Sequence, residues 1–514
     1  MRLVEVLVGR HLADQHGDRI CYLDAELGEV TYAGLHEAVR GYAGALRARG
    51  VQPGTRGVVV ADDSVATVVA VLGLWWHGCV PVPVGHMLTE PEISFIVRNS
   101  AAGFMHLDAP AKKQLALGAE FVDLPQLTGD EVRRAFQIGG PAAVGDQQRA
   151  GEPVSVPAGA EVLVQYTSGS TGTPKGVRHG LTGIGAILDG FGSVVALTPD
   201  DVVLSTAKLS FGYGFGNSLL FPLAAGASVI LLRGGVDAYV MVAALRRHRP
   251  SVIFSVPRMY AALLDRAETD HSCNLESVRL CVSAGEHLPQ KLSERFHTTF
   301  DMPLLNGLGA TEVLHIVVAT RPDGTAAPGS LGFPVPGVTL TVRDDEGREV
   351  PDGVEGRLHV AGPSVMLGYL DRPKFRPEST AQTLADGGAY TGDIVQRTAD
   401  GRIQHLCRAD DLLNLGGFTV SPREIETAVR KANGVADCAV VGGVNDNGLE
   451  QAIAYAVPSE GVPADELRRA ITRSLRAHLA PFKRPARVEV LDALPVTSTG
   501  KVARFTLRAA AEQR

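Results

Sequence analysis

Cysteine is scarce and scattered: six residues (Cys21, Cys79, Cys273, Cys281, Cys407, Cys438) in a chain of 514, with no C-x-x-C pair. That spacing argues against a disulfide framework or a zinc site, and reduced thiols in a cytoplasm are the expected state. Blocks of one charge sign are missing too. The 49 basic and 56 acidic side chains leave a net charge of -7 without long runs, so no nucleic-acid partner is expected. The longest apolar stretch, ATVVAVLGLWWHGCVPVPVG over 66–85, is interrupted by His77, Pro81 and Pro83. It reads as a buried helix running into a strand rather than a membrane span. The opening MRLVEVLVGRHLADQHGDR carries Glu5 and Asp14 and has no cleavage-site pattern, so a secretory signal is not expected. What remains is a soluble protein acting on small molecules.

Hydrophobic residues make up 45% of the chain and charged residues 20%, ordinary for a globular protein. At about 150 residues per domain, the length predicts two to four packed units. Between residues 30 and 310, strand-like runs such as TRGVVVA, EVLVQY, DVVLST, ASVILL, SVIFSV and VRLCVSAG alternate with helix-length segments such as DAYVMVAALRRHR. Such alternation predicts α/β architecture with largely parallel sheets and binding loops at strand ends. The stretch 139–158, GGPAAVGDQQRAGEPVSVPA, reads as an exposed connector. Beyond Pro328, short strands with turn signals (TLTVRDDEGREV, GRLHVAG, GRIQHL) predict a small β-rich subdomain. From near Asp410 a further unit is predicted: helix PREIETAVRKA, strands ADCAVVGG and EQAIAYAVP, helix ADELRRAITRSLRAHL and strand ARVEVLDAL. No internal repeat or low-complexity tail is present.

After the strand EVLVQY comes Thr167-Ser168-Gly169-Ser170-Thr171-Gly172-Thr173-Pro174-Lys175-Gly176. A loop this rich in glycine and hydroxyls, set between a strand and a predicted helix, can offer N–H groups and hydroxyls to phosphate oxygens, with Lys175 adding charge. It is not a Walker A loop, because the order G-x-x-x-x-G-K-[ST] is absent. The S-x-x-K at Ser498-Lys501 lacks its companion S-D-N and K-T-G motifs, and Gly307-Leu308-Gly309 breaks the dinucleotide fingerprint at Glu312.

YTSGSTGTPKGV resembles the signature of the adenylate-forming superfamily of acyl-CoA synthetases, peptide-synthetase adenylation domains and luciferases. Four further segments fall in that family's order: Gly309-Ala310-Thr311-Glu312, Tyr390-Thr391-Gly392-Asp393, Arg408-Ala409-Asp410-Asp411 and Pro495-Val496-Thr497-Ser498-Thr499-Gly500-Lys501. The resemblance covers essentially the whole chain. It implies a large N-terminal adenylating domain, residues 1–409, of two α/β subdomains plus a small β-barrel-like subdomain, followed by a mobile α+β C-terminal lid, residues 410–514.

It also implies roles. Thr167, Ser168, Gly169, Ser170, Thr171, Gly172 and Lys175 would bind ATP phosphates, and Gly285 and Glu286 would belong to the same ATP/AMP site. Thr311 would meet the α-phosphate and Glu312 would hold Mg2+, a hard cation that prefers carboxylate oxygen. Asp393 would accept from the ribose hydroxyls, assisted by Arg408. Lys501 would span the acid carboxylate and the α-phosphate, supplying charge where two anions meet. Asp410 would be the hinge of the lid, and Gly416-Gly417 would line the tunnel for a pantetheine thiol. Two positions depart from the family pattern: Cys407 stands where glycine usually precedes the arginine, and Leu308 where many members carry an aromatic residue.

The segments AKLSFGYGFGN (207–217), SAGE (283–286) and GATEVLHI (309–316) resemble benzoate:CoA ligases more than fatty acyl or amino acid activators. By that likeness Gly212, Tyr213, Gly214, Gly307, Gly309, His315 and Ile316 would surround a planar aromatic acid, with room beside Gly212 for a ring substituent. No acidic residue stands out to pair with an α-amine. The implied activity is ATP-dependent activation of an aromatic carboxylic acid and transfer to coenzyme A, by a cytoplasmic monomer or homodimer. Two alternatives stay open: loading of a carrier-protein phosphopantetheine, and an atypical ATP-dependent diazotising reaction.

Overall fold

In a computed structural model, residues 2–108, 124–139, 151–167, 174–269, 271, 273–286, 288–322, 330–370, 383–409, 413–415, 418–444, 450–479, 483–496 and 502–512 are described. The apolar runs become strands buried on both faces, as parallel sheets flanked by helices require. Val252–Ser255 and Leu280–Ala284 have every residue buried. Among the described residues the largest sheet has nine strands. Its centre is parallel: Leu304–Gly309, Leu280–Ala284, Val252–Ser255, Val202–Ser205, Ser228–Ile230 and Ile20–Asp24. Antiparallel strands close both edges, Gly28–Thr31 on one side and Ile316–Ala319 with Phe333–Pro334 on the other.

A second, four-stranded parallel sheet holds Val80–Gly85, Arg56–Ala61, Phe104–Leu107 and Gln126–Thr128. The apolar run at 66–85 divides at Gly78, whose φ of +78° closes the helix, and Pro81 and Pro83 lie in the strand beyond it. Val65–Trp76 is a fully buried helix, opened by Ser64 accepting a bond from the Thr67 N–H, and Val80–Gly85 is the strand. DAYVMVAALRRHR likewise forms the helix Ala238–His248, opened by Asp237.

Past Pro328 the expected β-rich unit is a five-stranded antiparallel sheet built from Thr339–Arg343, Glu355–Ala361, Gly388–Arg397, Leu384–Ala385 and Ile403–Arg408. Toward the C-terminus, Val435–Val444, Glu450–Pro458 and Arg487–Val490 form a three-stranded sheet covered by helices Pro422–Arg430 and Ala464–His478 around a separate apolar core. A hairpin of Leu413–Leu415 and Phe418–Val420 and a last helix, Arg504–Glu512, are additions that the sequence pattern did not announce. No helix among the described residues is long and apolar enough to cross a membrane.

Candidate active site

The glycine-hydroxyl segment does not lead from a strand into a helix. It joins two antiparallel strands, Glu161–Thr167 and Lys175–Gly180, with Thr167 opposite Lys175. The returning segment KGVRHG extends because Val177 and His179 are buried while Arg178 crosses to Glu161, its Nε donating at 2.6 Å. The following helix starts only at Leu181. Ser168, Gly169, Ser170, Thr171 and Gly172 lie outside the described residues.

Lys175, at the end of the hairpin, stands 5.3 Å from the centre of the Tyr369 ring. The Tyr369 hydroxyl donates to Glu312 Oε1 at 2.7 Å. Burial raises the pKa of that hydroxyl, the neighbouring Glu312 charge adds to the rise, and the phenol stays a donor. Tyr369 thus links Lys175, on the strand after the glycine-hydroxyl segment, to Glu312. Sequence reasoning missed it, since no motif surrounds it.

Thr311–Val313 forms a single 3-10 turn at the end of the strand Leu304–Gly309. Leu314 follows with φ 71° and ψ -46°, and the His315 N–H bonds back to the Val313 carbonyl at 2.9 Å. That i to i+2 bond around positive φ is a γ-turn of the strained hand, rare for a residue with a Cβ.

Asp393 is buried on the strand Gly388–Arg397 and accepts from His405 Nε2 at 3.1 Å and from Arg408 Nη1 at 3.3 Å. Burial pushes its pKa up, but the His405 hydrogen bond and the Arg408 charge more than offset that, leaving the carboxyl below its ordinary value. Gly392 has φ +76°, and a Cβ there would stand 2.8 Å from Arg408 Nη2, so glycine is needed for the arginine to lie across the turn. Arg408 also donates to the Thr391 carbonyl at 2.8 Å. His405 is a second residue the sequence motifs did not flag. Glu286 faces Arg258 at 3.8 Å, beside Gly285, whose φ is +86°.

Tyr213 is wedged under the nine-stranded sheet, its hydroxyl donating to the Val282 carbonyl at 3.1 Å. The His315 ring packs 5.6 Å from the Tyr213 ring, between Phe191 and Phe221, and His315 Nε2 lies 3.3 Å from the Tyr213 carbonyl. Burial drives the His315 pKa down to about 3, only partly offset by the Tyr213 carbonyl, so the ring is neutral. A Cβ on Gly307 would meet the Ile316 side chain at 2.7 Å, and one on Gly309 would run into the His315 carbonyl. A Cβ on Gly212 would stand 2.9 Å from the Leu314 carbonyl oxygen and 3.1 Å from Gln165 Oε1. Gly212, Tyr213, Gly307, Gly309, His315 and Ile316 therefore share one neighbourhood. Gly214 faces elsewhere, toward the carbonyls of Ala207 and Lys208, where its lack of a side chain permits close packing. Leu308 is half-buried and packs against the apolar core shared with the five-stranded sheet. Lys501, Asp410, Gly416 and Gly417 lie outside the described residues, as does the Cys407 side chain.

A hairpin ending in a lysine, a 3-10 turn carrying an acidic residue and a paired carboxylate on a separate antiparallel sheet fit the needs of an enzyme that uses a nucleotide. The chain belongs to the AMP-binding enzyme family: that family's model matches residues 10–370, and the model of its C-terminal domain matches residues 424–501. It is 34% identical to a 3-hydroxybenzoate–CoA/4-hydroxybenzoate–CoA ligase of Thauera aromatica, over 99% of this chain and 97% of that one. It is also 34% identical to a benzoate–CoA ligase of the same organism, over 98% of this chain and 95% of that one. Among solved structures, a benzoate CoA ligase from Burkholderia xenovorans superposes with a TM-score of 0.87 at 30% identity, covering 99% of this chain and all of the other.

Proposed function

We propose that this enzyme activates an aromatic carboxylic acid with ATP and transfers the aroyl group to coenzyme A. The observation that carries the reading is the single neighbourhood of Tyr213, His315, Ile316 and the side-chain-free walls Gly307 and Gly309, one turn away from Glu312 and its Tyr369–Lys175 contacts. A cluster of aromatic rings and side-chain-free glycines with a charged neighbour suits a ring that carries a carboxylate. The near full-length likeness to hydroxybenzoate and benzoate CoA ligases supports the same choice.

In the first half-reaction a carboxylate oxygen attacks the α-phosphorus of ATP, a new P–O bond forms, and pyrophosphate leaves with the electrons of the broken one. In the second, the CoA sulfur attacks the aroyl carbon and AMP leaves. The hairpin with Lys175 binds phosphate oxygens, Asp393 accepts from the ribose, and Lys501 neutralises the meeting of carboxylate and α-phosphate. Glu312, its Oε1 fixed by Tyr369, fits Mg2+, which binds through one or two carboxylates together with substrate phosphates. When bound there, the cation supplies positive charge to the phosphate oxygens. Residues 1–409 act as the adenylating body and 410–514 as a lid turning at Asp410, which brings Gly416-Gly417 to the thiol for the second half-reaction.

The test is pyrophosphate release from ATP over a panel of substituted benzoates, with CoA, a phosphopantetheinylated carrier protein or no thiol. Release with aryl acids and thioester formation with CoA is the expected result. Absence of release with every aryl acid would overturn the reading, and thioester formed only on the carrier protein would replace its acceptor.

A further inference from the structure

The acid neighbourhood contains a polar group with no use inside the protein. Gln165 lies on the strand Glu161–Thr167, two residues before the phosphate hairpin turns, and is 1% exposed. Neither its Oε1 nor its Nε2 has a hydrogen-bond partner. A primary amide sealed from water with both ends unpaired is costly, and such groups in native proteins call for a specific reason. The amide packs against Gly212, and the other close neighbour there is the Leu314 carbonyl. That carbonyl belongs to the strained γ-turn, whose positive φ is the cost of its placement. Two hydrogen-bonding groups therefore converge on Gly212, where only the lack of a Cβ lets both approach, next to Tyr213.

We propose that Gln165 and the Leu314 carbonyl form a subsite for a hydrogen-bond-donating substituent on the ring of the acid, a hydroxyl or amino group. A hydroxyl donates to the Leu314 carbonyl and accepts from Nε2. An amino group donates to Leu314 and to Oε1. A hydrogen, a methyl or a halogen satisfies neither group and leaves a buried amide unpaired, and sites built to bond a substrate OH or NH reject analogues that lack it most strongly. Gln165 is thus a specificity-determining residue, and the inference rests on the aryl-acid reading above.

The experiment compares kcat/KM for benzoate with that for hydroxy-, amino- and methylbenzoates substituted at each ring position, in the native enzyme and in Gln165→Leu. In the native enzyme a hydroxyl or amino group at one position is preferred over methyl at the same position by about 100-fold or more. In Gln165→Leu that ratio collapses by at least about tenfold, and the melting temperature rises because an unpaired amide has been replaced by a methyl pair. Equal use of hydroxyl, amino and methyl acids by the native enzyme overturns the subsite while leaving aryl-acid activation intact, and needs no variant to fold. A native preference that Gln165→Leu keeps assigns the substituent to another residue and also overturns it. Failure of every aryl acid to release pyrophosphate instead counts against the aryl-acid reading itself.

Discussion

Asp393 accepts from His405 and Arg408 and Glu312 accepts from Tyr369, whereas Gln165 offers both ends of its amide to nothing and the Nδ1 of His315 is likewise unpartnered. The proposed nucleotide end and the proposed acid end thus treat their polar groups in opposite ways. The reason lies in the size of the desolvation cost. An uncompensated buried carboxylate is too expensive to keep, so the chain supplies its partners from other strands. A neutral amide or imidazole costs less, so it can be left for a ligand to satisfy, and selectivity among acids can reside there. On the proposed reading, charges carry the common chemistry and uncharged groups carry the choice of acid.

The sharpest way to separate the two ends is to remove the charge proposed to act between them. Lys501→Ala is expected to lower pyrophosphate exchange by roughly 100- to 1,000-fold, the loss typical of one preorganised group facing a developing charge. Thioester formation from supplied aroyl-adenylate should survive, read by mixing purified adenylate with CoA; equal loss of both steps contradicts a lid with two working positions.

Next in size, Asp393→Ala should reduce kcat/KM for ATP about 10- to 100-fold, since hydrogen bonds to a charged group are worth about 1.5–3 kcal/mol. The KM for the aryl acid should move little, and a comparable rise there would erase the distinction between the two ends.

Acid pH provides a stability test of the other end. The His315 pKa in the folded chain, about 3, lies below its unfolded value near 6.5, so the unfolded state binds the extra proton between those limits. Stability from this group is fully present above about pH 6.5 and falls as pH drops toward 3, by up to about 1.4 kcal/mol per pH unit. His179, held down to about 3 by burial, adds in the same direction. Melting temperatures recorded from pH 7 to pH 4 should therefore drop less steeply in His315→Phe than in the native enzyme.

The smallest effect is expected from Tyr369→Phe, which removes the hydroxyl bond to Glu312 and keeps the ring beside Lys175. A loss of about 1 kcal/mol, or roughly fivefold in kcat/KM for ATP, is the scale for one such bond. Steady-state kinetics at varied Mg2+ would read it, with the deficit shrinking as Mg2+ is raised.

Much of the fold was legible because burial on two faces leaves a continuous apolar run, as at VRLCVSAG, and because Pro81 and Pro83 exclude a helix running through to Gly85, although the helix itself ends earlier, at Gly78. The segments carrying Thr311, Glu312, Asp393 and Arg408 were legible only through their resemblance to the family's motifs, and Gly392 beside Arg408 gives one of those motifs a physical reason for its glycine. The strand that follows the phosphate loop was not, since KGVRHG extends only through its pairing with Glu161–Thr167 and Gly368–Tyr369. Tyr369, His405 and Gln165 were equally hidden. Each acts on a residue far away in the chain, Tyr369 on Glu312 and Gln165 on Gly212, and such pairings leave no local signature.

The most direct test of the account is a product analysis after incubating the purified enzyme with ATP, Mg2+, CoA and a mixture of benzoate, hydroxybenzoates and aminobenzoates. AMP and an aroyl-CoA formed in equal amounts are the predicted outcome. ADP as the nucleotide product, or an unchanged acid pool, would contradict it.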